Sequence, residues 1–232
     1  MNNNLEFKKV KSIKRINKTQ RVYNFNVPGY ENYVANGFIV HNCENHKVSQ
    51  QGNTKKLNFY PPQKIIKLAK DYNCSSICMT FNEPTISYEF LMDIAEEAHK
   101  KDLKFIIKTN AYVNKEPWEE ICDVIDAVNV DWKGNKDSYL SMAGAKEYVV
   151  LDRIKEAYDL GVHVEISIPL HDGIKEEHLE EFGKFISSLS TDIPLHLLKI
   201  YSAFEHKNTT SDYFIDRAKF ILEKYISNIS IH

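Results

Sequence analysis

The sequence predicts an α/β fold: a partial (β/α) barrel of parallel strands, preceded by a small all-β segment. Three observations predict it. From residue 76 onward, short apolar runs alternate with stretches of helical period. The connections between them are short, as in consecutive βα units. Polar residues follow the apolar runs directly, at the strand ends where barrels of this kind carry their active sites.

The elements follow in order. Val22-Tyr23-Asn24-Phe25-Asn26-Val27 alternates apolar and polar residues, as a half-buried strand does. Pro28-Gly29 signals a turn. Asn36-Gly37 favours a tight hairpin, and Phe38-Ile39-Val40 is the short strand after it. Ser76 to Phe81 is the first strand of the α/β part, and Pro84-Thr85 opens a helix with Ile86, Phe90, Leu91, Ile94, Ala95 and Ala98 on one face. Lys104 to Thr109 is a strand. Pro117 suits the first turn of the next helix, which buries Ile121, Val124 and Ile125. Ala127 to Asp131 is a strand, Val149 to Leu160 a helix ended by Gly161, and Val162 to Ile168 a strand. Glu176 to Leu189 is helical, Leu195 to Ile200 extended, and Asp212 to Ile226 helical.

The 232 residues suffice for one large domain or two modest ones; a division at 1–42 and 43–232 is what the resemblances carried by the motifs imply. The net charge of −2 conceals an asymmetry. Residues 1–42 hold seven basic and two acidic side chains, a net of +5; the remainder holds 23 basic and 30 acidic, a net of −7. A basic arm raises nucleic-acid binding as an option. Its apolar alternation favours instead a strand steered to an acidic partner segment. No signal peptide and no run of about 18 apolar residues is present, so a cytoplasmic protein with no membrane partner is expected. Four cysteines without paired spacing suggest no disulfide framework. Cys74, Cys78 and Cys122 read as ordinary buried packing thiols.

Chemistry is written first into His41-Asn42-Cys43. The Asn42 side-chain amide can attack its own carbonyl, close a succinimide and cut the bond to Cys43. That reaction needs the fold to hold amide and carbonyl in attack geometry. His41 is placed to assist as a proton donor, and Cys43 supplies a nucleophilic thiol. The tripeptide alone also reads as a polar turn. Further along, Asn82-Glu83, Thr109-Asn110, Asp131 with Lys133, and Lys199 to Tyr201 stand at strand C-termini. Each alone is a cap or loop residue; together they form a constellation.

Two resemblances give these patterns families. Residues 21–43 resemble the C-terminal end of an intein of the Hint type, with Asn24 and Glu31 where the family often has Asp and His. This implies His41, Asn42 and Cys43 as catalytic residues of protein splicing. Residues 43–232 resemble the radical SAM proteins of the AmmeMemoRadiSam-system and pyruvate formate-lyase-activating-enzyme groups. The motifs are Cys43-Glu44-Asn45-His46, Thr80-Phe81-Asn82-Glu83-Pro84-Thr85, Lys108-Thr109-Asn110-Ala111-Tyr112 (with Ala111 where Gly is usual) and Asp131-Trp132-Lys133. That resemblance implies a [4Fe–4S] cluster and S-adenosylmethionine after splicing. It implies Asn82, Glu83, Thr109, Asp131 and Lys133 as cofactor-binding residues and Cys43 as a metal ligand. Glu83 suits the cofactor's ammonium and Lys133 its carboxylate.

Only the last cysteine of the family's Cys-x3-Cys-x2-Cys motif is present, and the first barrel strand is missing. The two resemblances together predict a split intein. A separate N-terminal chain would carry the complementary half and two further cluster cysteines, and splicing would join it at Cys43. The enzymatic substrate ranges, by the same resemblance, from partner proteins to other molecules. The rival reading is a non-splicing α/β scaffold, or a protein that binds S-adenosylmethionine, with a degenerate intein remnant.

Overall fold

The computed structural model describes residues 32–35, 38–41, 60–80, 82–200 and 209–232. Strands β1 (Asn32–Ala35) and β2 (Phe38–His41) pair antiparallel, with Ala35 opposite Phe38 and Asn32 opposite His41. The strand expected over residues 22–27 lies outside the described residues.

The rest forms a parallel sheet of six strands in sequential order. They are β3 (Ser76–Met79), β4 (Lys104–Thr109), β5 (Ala127–Asp131), β6 (His163–Leu170), β7 (Leu195–Lys199) and β8 (Ile229–Ile231). Each crossover steps the same way across the sheet. A right-handed crossover repeated in one direction puts every helix on one face. Helix α1 (Pro62–Asp71) precedes β3; a 3₁₀ turn (Pro84–Ser87) leads into α2 (Tyr88–His99). Then come α3 (Lys115–Cys122), α4 (Lys136–Ala143), α5 (Glu147–Asp159), α6 (Glu176–Leu189) and α7 (Asp212–Leu222).

Period-two alternation sorts the strand residues onto the two faces. Phe105, Ile107, Val128, Val130, Val164, Ile166, Ile168, Leu195 and Leu197 are buried against helix residues such as Leu91, Ile94, Ile121, Ile154, Leu179 and Ile186. This is the core, and its apolar area drives the sheet and helices together. Most of the alternate positions are polar, Lys108, Asn129, Asp131, Glu165, Ser167 and His196 in the central strands and Ser230 in the edge strand, with apolar ones such as Ile106, Pro169 and Leu198 among them. Register pairs Lys108 with Asn129 and Asn129 with Glu165. One row further on it pairs Asp131 with Ser167, Ser167 with His196 and His196 with Ser230. The helix-free face is therefore a polar trough, unlike the apolar filling of a closed barrel.

Several expectations need correction. Helices α1 and α4 and strand β8 were not foreseen. Helix α4 is eight residues with little amphipathic contrast, held by the Asn135 cap and stopped at Gly144 with φ 58°. Strand β8 is three residues long. Among the described cysteines, Cys74 and Cys78 are exposed and Cys122 is buried. Cys78 points to the polar face because Ile77 and Met79, its neighbours on the strand, pack on the core.

Candidate functional site

The C-terminal ends of β3, β4 and β5 build two adjoining groups. In the first, Glu83 caps the 3₁₀ turn after β3. Its Oε1 accepts from the Thr85 amide (3.1 Å), the Thr85 hydroxyl (2.8 Å) and the Thr109 hydroxyl (2.6 Å). Its Oε2 accepts from the Asn110 amide at 2.8 Å. Thr109 is 2% exposed and points to the helix side, and its hydroxyl also accepts from the Ala111 amide at 3.0 Å. The Glu83 carboxylate thus ties the end of β3 to the end of β4. Ala111 follows with φ 53°, a left-handed conformation that is uncommon for a residue with a Cβ. Asn82 sits at the exposed approach to this brace.

In the second group, Lys108 donates from Nζ to Asp131 Oδ1 (2.6 Å), Asn129 Oδ1 (2.7 Å) and Ser167 Oγ (2.9 Å). Ser167 in turn donates to Asn129 Oδ1 at 2.7 Å. Lys133 Nζ lies 3.8 Å from Asp131 Oδ2. The chain between Asp131 and Asn135 is bolted from several sides. Trp132 is buried, stacks on Phe182 with centroids 4.0 Å apart, and donates its indole N–H to Glu147 at 3.1 Å. Burial of Glu147 beside that ring pushes its carboxyl above the usual range. The Lys133 amide donates to the Tyr139 hydroxyl, and the Lys133 carbonyl accepts from His171 Nε2 at 2.9 Å. His171 Nδ1 accepts from the Gly173 amide, which assigns the ring proton to Nε2. Gly134, at φ 103°, turns the chain; a Cβ there would meet Ser138 Oγ at 2.7 Å.

Beside these groups lies an open cavity of about 610 Å³, whose lining includes Asn135, Ser138, Leu170, His171, His178 and Thr210. Across the trough, Glu165 accepts from His196 Nε2 (2.9 Å) and His163 Nε2 (3.2 Å). His196 Nδ1 faces Ser230 Oγ at 2.8 Å. Burial acts to raise the Glu165 carboxyl, but the two histidine bonds prevail and hold it below the usual range.

Of the residues expected from sequence, Glu83 and Thr109 meet in one group and Asp131 and Lys133 in the other. His41 is placed by backbone alone, at the end of β2. Asn42 and Cys43 lie outside the described residues. Lys108, Asn129, Ser167, Glu165 and His196 were not singled out as site residues. The signal for them was present: polar side chains alternating with buried apolar ones along these strands.

Among the described residues, no group of three or more potential ligands is arranged to hold a metal ion. Burial pushes the Cys122 thiol up to about 12; the Cys78 sulfur, on an exposed residue, is desolvated enough to be raised as well, against the pull of Lys108. A carboxylate brace and a lysine–aspartate cluster at consecutive strand ends suit a ligand with an ammonium and a carboxylate. No helix among the described residues is long and apolar enough to cross a membrane.

Comparison with known proteins bears on the family and the fold. The family model for the radical SAM superfamily matches residues 41–186. A protein of Methanocaldococcus jannaschii is 31% identical over 147 residues, covering 62% of this chain and 44% of that protein. The chain therefore spans less than half the length of that relative. A domain of pyruvate-formate lyase-activating enzyme from Bacteroides vulgatus superimposes with a TM-score of 0.60 at 20% identity, covering 68% of this chain and 99% of the domain. Streptococcus suis SuiB, solved bound to S-adenosylmethionine, gives 0.61 at 18% identity, covering 78% of this chain and 45% of SuiB. At these identities the two structures speak for the fold.

Proposed function

The chain belongs to the radical SAM superfamily, and from that premise we propose that residues 43–232 are the C-terminal part of an enzyme completed by splicing at the Asn42–Cys43 bond. Membership implies a [4Fe–4S] cluster and S-adenosylmethionine as cofactors. The described residues fit the second of these and not the first. Glu83 and the Lys108–Asp131–Lys133 cluster offer partners for an amino-acid end. Cys74, Cys78 and Cys122 are not grouped as cluster ligands. Cys43 is then the thiol that the family's motif spacing offers to iron, and the two others are assigned to another segment. When bound together, the two cofactors supply one-electron cleavage of a sulfonium and abstraction of hydrogen from substrate.

The observation that carries the splicing half is a coincidence of boundaries. The family match begins at residue 41, beside the bond that the sequence chemistry would cut. The β1–β2 pairing, with Asn32 opposite His41 in register, supports a hairpin that delivers His41 to the junction. In the proposed reaction, the acyl bond between the upstream host segment and the first residue of the complementary intein half breaks; the acyl group passes to Cys43 Sγ as a thioester, and the thiol proton goes to the departing group of that intein half. Asn42 then attacks its own carbonyl through the side-chain nitrogen; the 42–43 C–N bond breaks, and Cys43 gains a free amine. That amine takes the acyl group from sulfur and leaves a normal peptide bond. His41 donates to the scissile group. No oxidant or reductant enters these steps.

The test supplies an upstream segment with the complementary intein half and two cysteines, and follows the mixture by intact mass spectrometry. Ligation at Cys43 with release of residues 1–42 is expected, and Asn42→Ala abolishes the release. An intact Asn42–Cys43 bond in the presence of a folded upstream segment refutes splicing. A stoichiometric iron–sulfur cluster in the purified 232-residue chain refutes the missing-ligand argument.

A further inference from the structure

We propose that Lys108 determines the selectivity of this strand-end site for a carboxylate-bearing ligand, by offsetting the charge of Asp131. The inference rests on the S-adenosylmethionine reading above and adds a residue that the motifs did not assign. Lys108 stands on β4 and reaches across to β5 and β6. Its ammonium donates to Asp131 at 2.6 Å, Asn129 at 2.7 Å and Ser167 at 2.9 Å, so each of its three N–H groups has an acceptor. The side chain is one-third exposed on the trough side. It is therefore held in place and still felt by a ligand there.

The charge count makes the argument. Asp131 lies between Lys108 and Lys133, whose Nζ is 3.8 Å from its other oxygen. With Lys108 this group carries a formal charge of about +1; without it the group is neutral. Across β4, Glu83 supplies the negative pole. A zwitterionic amino-acid end laid along the rim meets Glu83 with its ammonium and the Lys108 group with its carboxylate. Replacing Lys108 removes the positive pole, whereas replacing Lys108 and Asp131 together restores it, because Lys133 then keeps its charge.

Calorimetry on the full chain tests this with two ligands. S-adenosylmethionine carries the amino-acid end; 5′-methylthioadenosine keeps the nucleoside and sulfur and lacks it. Lys108→Met is expected to weaken S-adenosylmethionine about tenfold and to leave 5′-methylthioadenosine within about twofold. Lys108→Met with Asp131→Asn is expected to recover most of the loss. Lys108→Gln removes the charge and keeps an N–H donor on a side chain one atom shorter, so the comparison stands if the methionine variant does not fold. Equal weakening of both ligands, or a deeper loss in the double variant, overturns the role of Lys108 and leaves the cofactor site intact. A wild-type chain that binds neither ligand overturns the site reading, and this inference falls with it.

Discussion

Replacing Glu83 by Gln should cost the fold stability as well as ligand affinity, and the structure says how much. The carboxylate accepts four hydrogen bonds, three at Oε1 and one at Oε2. A glutamine can keep its carbonyl where Oε1 stands and retain the three. Its amide nitrogen then faces the Asn110 N–H, donor against donor. One charge-assisted bond is lost outright, about 1.5–3 kcal/mol, and the others fall from charged to neutral strength. Partial exposure lets water relieve some of this, so the net cost is roughly 2–4 kcal/mol. Urea unfolding should show the midpoint falling with the slope unchanged. Thr109→Val removes one donor and the acceptor for Ala111, and should cost roughly 1–3 kcal/mol with no change in local charge. A Gln variant within about 0.5 kcal/mol of wild type, the size of a surface change away from any such bond, would mean the brace does not form.

Further outcomes are expected at three residues. Ala111→Gly should be nearly neutral: about 1–2 kcal/mol of left-handed strain is relieved, against about 0.5–1 of backbone entropy and about 0.8 for the buried methyl. Ala111→Val should lose more than about 2 kcal/mol, since a β-branched residue at positive φ is an outlier and the site is fully buried; equal melting temperatures for Val and Ala would contradict the left-handed backbone. Glu165, whose carboxyl is held low by His196 and His163, stabilises the fold while ionised; that contribution is complete above its ordinary value of 4.5 and fades as pH drops through the lower folded value. Glu165→Gln should therefore flatten the acid limb of a stability–pH curve, and an unchanged limb would sink that assignment. Cys122, buried with its thiol pushed up to about 12, should resist iodoacetamide at pH 8 in the native protein while exposed Cys74 is alkylated, as peptide mass mapping would show.

Much of the fold was readable before any coordinates. Apolar periodicity located strands β3 to β7 and the helices between most of them, because each buries one continuous face and period records burial. It failed at α4, whose polar surface leaves no stripe, and at β8, too short to show alternation. The strand-end motifs around Glu83, Thr109, Asp131 and Lys133 were also legible, since the βα architecture always brings such positions to one rim.

What the chain alone could not say is how the rim is wired. That Glu83 accepts from Thr109 and Asn110, and that Lys108 rather than Lys133 makes the short ion pair with Asp131, depends on strand register. Shift one strand by a residue and each side chain moves to the other face. Linear order names the chemical groups; only the packing of six strands side by side decides which of them touch, because partners such as Lys108 and Ser167 stand 59 residues apart.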